Sequence, residues 1–264
     1  MSTDLELALL AADMADRVTL PAFRRPSLAV EIKADQTPVS EADRGAEVAI
    51  RELLGRERPA DAVLGEEMGE ATGGAGSGRR RWVLDPIDGT ANFVRGVPVW
   101  ATLIGLEVDG VMKVGVVSAP ALGRRWWAER DKGAFAGRSG SSGERIRVSG
   151  ITHLADATVS SGSVADFPNK TAFLELLTEV KRDRGFGDFW SHMLVAEGAC
   201  EAGLDPVVSL WDVAALQVIV EEAGGKFTDF SGAPRLDGGS AISSNGLVHD
   251  AIVGLLSSAR PGGR

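Results

Sequence analysis

Two aspartates lie three positions apart in the stretch 82–93, which reads W-V-L-D-P-I-D-G-T-A-N-F. Asp85 and Asp88 follow three apolar residues that predict a short buried strand, and the proline and glycine beside them predict a rigid, tight bend. Converging carboxylates repel each other unless a cation lies between them or one is protonated. Because hard divalent cations take oxygen ligands, Mg²⁺ is the natural occupant, and the N–H groups of Gly89 and Thr90 could hold an anion beside it. Taken alone, the same residues are also typical of an ordinary turn.

Three further acidic positions stand beside short apolar strands or at helix starts: Asp43, residues 66–67 and Asp212. Each has a structural explanation, since Asp43 could close a capping box, residues 66–67 could be surface charges, and Asp212 could be a helix N-cap. However, Asp212 lies among apolar residues, where an unpaired charge is costly. A metal ion shared with Asp85 and Asp88 would neutralise it. Together the acidic positions therefore predict one metal centre.

The sequence offers no cluster of soft ligands that would select zinc instead. His153, His192 and His249 are scattered along the chain, and we interpret each as structural. Cys200 is the one cysteine, so an intrachain disulfide is impossible. A chain with this cysteine content is typical of a reducing compartment, and we expect a cytoplasmic location.

Composition narrows the class of partner. The chain has 264 residues, a formal net charge of −9 and 44% hydrophobic residues, which is enough for a substantial core. No basic face is evident, so binding to nucleic acid is not expected. The N-terminus lacks the basic region of a signal peptide, and no apolar run is long enough to span a bilayer. We therefore expect neither a nucleic acid nor a membrane as partner.

The first half of the chain predicts helices followed by an antiparallel meander. The dipeptide Asp109-Gly110 between two apolar runs is a strong hairpin signal, and Ser40 with Asp43 forms the pattern of a capping box. The predicted elements are a helix over 5–23 ending near Pro21, a strand at 28–32, a loop at 33–40, a helix from Ser40 to about Pro59, a strand at 63–65, a loop at 71–81, strands at 82–84, 99–107, 111–118 and 124–128, a loop at 137–144 and a strand at 145–148.

The second half alternates strands and helices, which favours an α/β arrangement. We place the boundary near residues 149–153, giving an N-terminal α+β half over 1–149 with most metal ligands and a C-terminal α/β half over 150–264 that completes the site. The predicted elements are strands at 158–161, 207–210, 226–229 and 241–243, a strand or loop at 181–187, helices at 170–180, 188–198, 212–223 and 246–256, and a fraying tail over 257–264.

Three motifs, G-E-E at 65–67, the stretch at 82–93 and W-D-V-A-A at 211–215, resemble the inositol monophosphatase superfamily in their order and spacing. The resemblance covers nearly the whole chain. It implies a layered αβαβα sandwich of the inositol monophosphatase and sugar phosphatase type, of α+β or α/β class. It also implies phosphomonoesterase activity on a small-molecule substrate, two or three Mg²⁺ ions per active site, inhibition by Li⁺, and a homodimer.

The resemblance further implies a role for each matching residue. The first metal would be held by Glu66, Asp85 and the Ile87 carbonyl, and the second by Asp85, Asp88 and Asp212. A loosely bound further Mg²⁺ and its water are associated with the position of Asp43. Thr90 resembles the residue that orients the attacking water together with Glu66, and the N–H groups of Gly89 and Thr90 would hold phosphate oxygens.

The chemistry expected of this set is direct attack by water, because Mg²⁺ lowers the pKa of a bound water and neutralises phosphate. The sequence contains no obvious arrangement of a cysteine or histidine nucleophile. We also considered an aspartyl-phosphate route, since motifs of the D-x-D-G-T kind occur in haloacid-dehalogenase phosphatases. Here the spacing is D-P-I-D-G-T, the motif lies mid-chain, and the partner motifs differ from those of that family.

Departures from the inositol-directed pattern bear on the leaving group. In R-G-F-G-D-F at 184–189, Asp188 stands where inositol-directed relatives usually carry a small or neutral residue, and Asp205 matches a substrate-contacting carboxylate that is usually Glu. Two acids near the leaving group would suit a cationic substrate, and histidinol phosphate carries an amine and an imidazole. Asp188 and Asp205 are therefore substrate-binding candidates. Arg184, the first residue of the same stretch, is included with them. The structural alternative for Asp188 is a helix N-cap.

Three further segments also resemble the histidinol-phosphatase branch more than the inositol branch: N-F-V-R-G-V-P-V-W, V-V-S-A-P-A-L and R-R-W-W-A. We place Asn92, Arg95 and Trp100 as candidates for the entrance. Two alternatives stay open: an inositol-1-monophosphatase or broad-specificity phosphatase of the same family, and a regulatory or partner-binding protein with a vestigial phosphatase site.

Overall fold

The structure of the chain is a computed structural model, which describes residues 2–33, 37–73 and 79–257. It begins with helix α1 (Asp4–Ala22), capped by Thr3, and helix α2 (Glu41–Glu57), capped by Ser40. The capping box of Ser40 and Asp43 is confirmed. Between the helices, strands β1 (Val30–Ile32) and β2 (Pro38–Ser40) pair in antiparallel fashion, so the predicted loop at 33–40 is wrong for its last three residues. Residues 34–36 of that loop lie outside the described residues.

An eight-stranded sheet forms the centre of the N-terminal part, in the order β10-β9-β8-β7-β6-β5-β3-β4. Its strands are β3 (Ala62–Gly65), β4 (Gly69–Ala71), β5 (Arg80–Asp88), β6 (Ala101–Val108), β7 (Val111–Ala119), β8 (Arg124–Glu129), β9 (Gly133–Gly137) and β10 (Glu144–Arg145). β3 and β5 are parallel, and the remaining neighbours are antiparallel. The predicted meander and its turn at Asp109-Gly110 are confirmed. The predicted loop at 71–81 meets β4 and β5 at its ends, and residues 74–78 lie outside the described part of the chain.

A five-stranded sheet follows, in the order β12-β11-β13-β15-β14. Its strands are β11 (Thr158–Ser161), β12 (Arg182–Asp183), β13 (Ala202–Asp205), β14 (Lys226–Thr228) and β15 (Ala241–Ser244), and its helices are α4 (Lys170–Glu179), α5 (Asp188–Ala196), α6 (Leu210–Glu222) and α7 (His249–Ser257). The predicted strand at 207–210 is wrong. The end of that segment belongs to α6, because Ser209 is the N-cap and the helix begins at Leu210. The strand lies earlier, at Ala202–Asp205.

The two sheets and the helices form five layers. One face of the eight-stranded sheet packs against α1 and α2 through a buried cluster that includes Leu7, Ile50 and Ile104. Its other face packs against α5 and α6, which also contact the five-stranded sheet through Phe227 and Ala241. Helices α4 and α7 cover the far side of the five-stranded sheet. This αβαβα order confirms the predicted sandwich.

Helix α6 approaches the eight-stranded sheet closely because the facing residues are small. A Cβ atom added to Gly115 in β7 would lie 2.3 Å from the Ala215 carbonyl oxygen of α6. The first turn of α6 carries Asp212, so this close approach sets how far Asp212 stands from the strand ends. The division into halves at 1–149 and 150–264 stays a prediction, since α5 and α6 belong to a core that both sheets line.

Within the described residues, none of the helices combines the length and apolar character that crossing a bilayer requires.

Candidate active site

Asp85, Asp88 and Asp212 converge although the third lies more than a hundred residues from the first two. Each offers one carboxylate oxygen, and these oxygens lie within 4.8 Å of one another. Asp85 and Asp88 stand at the end of β5, where the pairing with β6 shifts register between them. The Thr102 hydroxyl donates a hydrogen bond of 2.8 Å to the Pro86 carbonyl and so fastens this bend to the neighbouring strand.

Asp212 is the third residue of α6, and it is not the N-cap that sequence reasoning offered as an alternative. Ser209 caps the helix, and its N–H donates to Asp212 Oδ2 at 2.7 Å. Asp212 therefore closes a capping box and also faces the aspartates of β5, so its structural role does not exclude the proposed metal-binding role.

The site gathers buried acidic groups whose mutual repulsion must be relieved by a cation or by protonation. Asp85 is 2% exposed, and its Oδ1 atom has no hydrogen-bond partner in the described structure. Burial raises the pKa of Asp85 well above its ordinary value, and the charges of Glu66, Asp88 and Asp212 raise it further. Burial and the neighbouring acids likewise raise the pKa of Asp88, and they raise the pKa of Asp212 to about 7. An orphaned, buried carboxylate oxygen among like charges fits a divalent cation.

Glu66 stands immediately after β3, where its N–H donates to the Leu84 carbonyl at 3.1 Å. Its charge helps raise the pKa of Asp85 and Asp212, so it faces the same centre. Glu66 is not among the three residues whose carboxylate oxygens lie within 4.8 Å of one another. Its Oε1 atom accepts a hydrogen bond from Lys33 Nζ at 2.8 Å. Lys33, which also contacts Glu67, supplies the positive charge that this glutamate pair faces here.

Glu47 holds the turn that presents Glu66, and sequence reasoning missed it. This fully buried residue of α2 accepts hydrogen bonds from the N–H groups of Glu67 at 2.8 Å and Met68 at 3.2 Å. Arg51 Nε donates to it at 2.7 Å, one helical turn away. The signal available in the sequence was an acid on the apolar face of α2, four positions before an arginine.

Asp43 caps α2 and also contacts Thr90, the residue expected to orient water and to hold a phosphate oxygen. Its Oδ2 atom accepts from the Ser40 N–H at 2.8 Å, and its Oδ1 atom lies 3.2 Å from the Thr90 hydroxyl. That hydroxyl also lies 2.8 Å from the Ile87 carbonyl oxygen, so its single proton divides between two acceptors. The structure thus brings Asp43, Thr90 and the Ile87 carbonyl together at the end of β5.

Gly89 precedes the short helix α3 (Thr90–Val94) with a φ of +81°, a conformation that favours glycine. An added Cβ would lie 3.0 Å from the Val99 carbonyl oxygen and 3.2 Å from Asp188 Oδ2. The bend between the aspartates and α3 therefore needs glycine on both conformational and steric grounds, and it lies directly beside Asp188.

Asp188 and Asp205 face the same small cavity as Asp88 and Asp212. The cavity has a volume of about 60 Å³, and its lining also includes His192 and Val207. Asp188 is the first residue of α5 and has a φ of +54°, which is uncommon for a residue other than glycine. This conformation costs free energy, and such strain is typical of functional sites. Burial, followed by the charges of Asp205 and Asp212, raises its pKa to about 7.

His192 and Asn92 are polar neighbours of these acids. Asn92 Nδ2 donates to Asp188 Oδ2 at 3.3 Å, and His192 Nε2 lies 2.9 Å from Asp205 Oδ2. His192 is fully buried, which agrees with its interpretation as structural, but the contact to Asp205 was missed. The available signal was the spacing of four residues from Asp188, which places both side chains on one face of a helix.

The cavity is not lined by three of the residues proposed for the entrance or the substrate: Arg95, Trp100 and Arg184. Arg184 is exposed and donates from Nη1 to the Asp183 carbonyl at 2.6 Å, so the structure does not bring it to the carboxylates. Trp100 is fully buried between Phe23 and Phe93, with ring centroids 5.4 and 4.8 Å away, and it does not line an entrance. Arg95 is exposed at the end of α3.

A larger cavity of about 790 Å³ lies elsewhere, beside α1 and the strands β7 and β8. Asp13, Arg17 and Arg138 are among its lining residues, but none of the converging carboxylates is. The smaller cavity, which the converging carboxylates line, is therefore the candidate active site.

The geometry agrees with the comparison to known proteins. The model of the inositol monophosphatase family matches residues 2–260. The chain belongs to the inositol monophosphatase family. Proteins of this family are metal-dependent, and the cluster of Asp85, Asp88 and Asp212 could hold a metal ion. As a member of the family, this chain is a phosphoric monoester hydrolase.

Individual relatives support the same placement. The chain is 52% identical over 260 residues to a histidinol-phosphatase of Streptomyces coelicolor, covering 96% of both chains. It is 50% identical over 253 residues to a histidinol-phosphatase of Mycobacterium tuberculosis, covering 95% of this chain and 96% of the relative. Among solved structures, the extragenic suppressor protein suhB of Bartonella henselae superposes with a TM-score of 0.88 at 30% identity, covering 98% of this chain and all of the other.

Proposed function

We propose that this member of the inositol monophosphatase family is a Mg²⁺-dependent phosphatase that hydrolyses L-histidinol phosphate to L-histidinol and phosphate. The observation that carries the proposal is the acidic pair Asp188 and Asp205, which lines the same cavity as Asp88 and Asp212. A leaving group with an amine and an imidazole offers positive charge to such a pair. The names of relatives at 52% and 50% identity support the same substrate.

The metal would be held by the side chains that converge at the end of β5 and the start of α6. The proposed ligands are Glu66, Asp85, the Ile87 carbonyl, Asp88 and Asp212, with Asp43 assigned to a further, loosely bound ion and its water. When bound, Mg²⁺ supplies a water of lowered pKa and neutralises phosphate charge. We propose two or three ions per site and inhibition by Li⁺.

The residues of the chain orient the reactants around these ions. Thr90 has its hydroxyl between Asp43 and the Ile87 carbonyl, and together with Glu66 we assign it the orientation of the attacking water. The N–H groups of Gly89 and Thr90 are assigned to the phosphate oxygens. Asp188 lies beside Gly89, so it stands next to the proposed phosphate position, on the side of the cavity where the alcohol would leave.

A panel of phosphate esters tests the proposal. Phosphate release would be measured with Mg²⁺ and histidinol phosphate, inositol 1-phosphate, fructose 1,6-bisphosphate or adenosine 3′,5′-bisphosphate. We expect the highest kcat/KM with histidinol phosphate. A preference of at least about tenfold for inositol 1-phosphate would overturn the substrate and leave the family assignment intact.

Two other functions would be detected by the same panel. Relatives named inositol-1-monophosphatase, such as that of Mesorhizobium japonicum at 33% identity, favour an inositol phosphate as the second candidate. A partner-binding protein with a vestigial site would release phosphate from none of the esters. The carboxylates that the sequence retains argue against this last alternative, and three of them converge closely enough to hold a metal ion.

We also propose that the enzyme acts as a homodimer in the cytoplasm, without a nucleic acid or a membrane as partner. The family resemblance supports the dimer, and the net charge of −9 disfavours binding to polyanions. Light scattering of the purified protein would test the dimer, and a single species of 27.7 kDa would exclude it.

A further inference from the structure

His192 occupies a position between the substrate cavity and the five-stranded sheet. It lies on α5, one helical turn after Asp188, and its side chain is fully buried. Its Nε2 atom lies 2.9 Å from Asp205 Oδ2, and its Nδ1 atom lies 2.8 Å from the Ser243 hydroxyl. Both ring nitrogens are therefore engaged, and the ring also packs against Phe227 with centroids 5.5 Å apart.

The direction of the first hydrogen bond follows from its partners. An ionised carboxylate only accepts hydrogen bonds, so Nε2 carries the proton and donates to Asp205. The hydroxyl of Ser243 can donate to Nδ1 or accept from it, so it holds the far side of the ring in either case. The three residues Ser243, His192 and Asp205 form a chain that runs from β15 through α5 to β13.

The chain of hydrogen bonds leaves one oxygen of Asp205 for another partner. Oδ2 is taken by His192, while Oδ1 points toward Gly162 and Gly187, where an added Cβ would lie 3.3 and 3.6 Å away. Gly187 has a φ of +75°, and a Cβ there would lie 2.8 Å from the Cα of Gly162. The glycines thus allow the backbone to pass close to Asp205 without covering it by a side chain.

Without a donor at Oδ2, Asp205 would face Asp188 and Asp88 with no fixed orientation, because these acids repel it. A neighbouring donor is the usual way in which a protein fixes the plane of a carboxylate that must meet a ligand. We propose that His192 is a positioning residue, which holds Asp205 so that its free oxygen meets the cationic part of the leaving group. This rests on the proposed function, since it concerns the same substrate cavity.

A matched pair of substitutions separates hydrogen bonding from packing. In His192→Gln the amide nitrogen lies about as far along the side chain as Nε2 and can still donate to Asp205. In His192→Asn the shorter amide can reach Ser243 but not Asp205. Steady-state kinetics with Mg²⁺ would be measured on histidinol phosphate and on inositol 1-phosphate, which has no cationic group.

We expect His192→Asn to raise KM for histidinol phosphate by roughly tenfold with kcat nearly unchanged, as for the loss of one hydrogen bond to a charged group. KM for inositol 1-phosphate should change by less than about twofold, and His192→Gln should restore most of the loss. If His192 only fills space, both variants would affect both substrates and the Tm equally, which would overturn the proposal.

Coupling between the two residues gives a second measurement. Asp205→Asn should raise KM for histidinol phosphate in the wild-type background and have a much smaller effect when His192 is already Asn. Additive effects would overturn the proposal. If His192→Asn does not fold, Ser243→Ala replaces it, because this change removes the hydrogen bond to His192 Nδ1. An unchanged KM for histidinol phosphate in Ser243→Ala would overturn the proposal.

The unmodified enzyme decides the proposed function separately. If wild type does not prefer histidinol phosphate, the proposed substrate fails. If wild type prefers it and His192→Asn keeps that preference, only the role of His192 fails.

Discussion

At the scale of single residues, the site contains acidic side chains whose burial or backbone conformation is energetically unfavourable. Asp85 is buried with an unpaired oxygen, and Asp188 adopts a backbone conformation that few residues other than glycine tolerate. Stability alone would favour neutral residues at both positions, because burial of like charges and positive φ both cost free energy. Such conflicts are expected where side chains serve binding or catalysis.

Asp85→Asn is predicted to abolish turnover, because it removes a charge that both proposed metal positions use. We expect phosphate release to fall by at least about a hundredfold. The same change should raise the stability of the metal-free protein at pH 8 by about 1–3 kcal/mol, since asparagine removes a carboxyl group whose ionisation burial disfavours. Urea denaturation with EDTA present measures this gain.

Asp109→Asn is the matched control, because it makes the same change at an exposed carboxylate in the turn between β6 and β7. It should alter neither activity nor stability appreciably. Retention of more than a few per cent of activity by Asp85→Asn would contradict the role assigned to Asp85.

Asp188→Asn is predicted to raise KM for histidinol phosphate by roughly tenfold and KM for inositol 1-phosphate by less than about twofold. Asparagine tolerates positive φ, so the backbone is preserved and only the charge is lost. Asp109 has nearly the same φ, +53° against +54°, which makes Asp109→Asn a control for the backbone as well. Equal effects on the two substrates would remove the idea of cation recognition.

At the scale of elements, helices beside the site bring buried or half-buried polar groups to strand ends. α2 brings Asp43 and Glu47, α5 brings His192, and α6 brings Asp212. These groups lie within the apolar faces of their helices, so packing against the sheets fixes their positions. Asp188 starts α5, whereas the other carboxylates lie at or directly after strand ends, namely Glu66, Asp85, Asp88 and Asp205.

Glu47→Ala is predicted to destabilise the protein by about 2–4 kcal/mol, because it removes the buried acceptor of the N–H groups of Glu67 and Met68 and of Arg51 Nε. Mg²⁺ affinity should fall as well, since the released turn carries Glu66. Urea denaturation and calorimetric titration measure the two effects.

Glu52→Ala provides the comparison, because Glu52 is exposed on the same helix. It should change stability by less than about 0.5 kcal/mol. If Glu47→Ala lowered stability without weakening Mg²⁺ binding, the link from α2 to the metal site would be wrong.

At the scale of the whole molecule, the αβαβα layers place a cluster of acids at the meeting point of two sheets. The molecule already carries a net charge of −9, so a bound cation relieves repulsion locally and overall. Metal binding and folding stability are therefore coupled, and the coupling depends on pH because protons compete with the metal for the same oxygens.

The stability of the metal-free protein is predicted to fall as the pH rises from about 4 to about 7. Asp188 and Asp212 have folded-state pKa values raised from 3.8 to about 7, chiefly by burial. An acid whose pKa is raised by folding contributes stability that is complete below its unfolded pKa and is lost as the pH passes through the folded pKa. Excess Mg²⁺ should replace the protons, so the gain in Tm on adding Mg²⁺ should grow across this range.

Two series of Tm against pH, with EDTA and with MgCl₂, measure this gain. His249 works in the opposite direction, because burial lowers its pKa to about 4 and its contribution is lost as the pH falls from 6.5. Its effect is common to both series and cancels in their difference. A gain in Tm that stayed constant from pH 4 to pH 7 would contradict the coupling.

Local patterns in the sequence determined most elements and the kind of chemistry. Capping boxes, the Asp109-Gly110 turn and the run at 82–93 act through neighbours in the chain, so they can be read without a fold. The strand β13 was misplaced because A-G-L-D at 202–205 is buried throughout and shows no alternation, whereas V-V-S-L at 207–210 has a higher strand propensity. β9 was not predicted for a similar reason, since glycine and alanine dominate it.

Only the tertiary structure decided which separated side chains meet. The sequence named Asp205 and His192 but not their contact, and it named Glu66 without Lys33 or Glu47. It included Arg184, which the fold leaves on the surface. These outcomes have one physical cause: spacing along the chain reports the face of a helix or strand, whereas contact across the cavity depends on how two helices pack between two sheets.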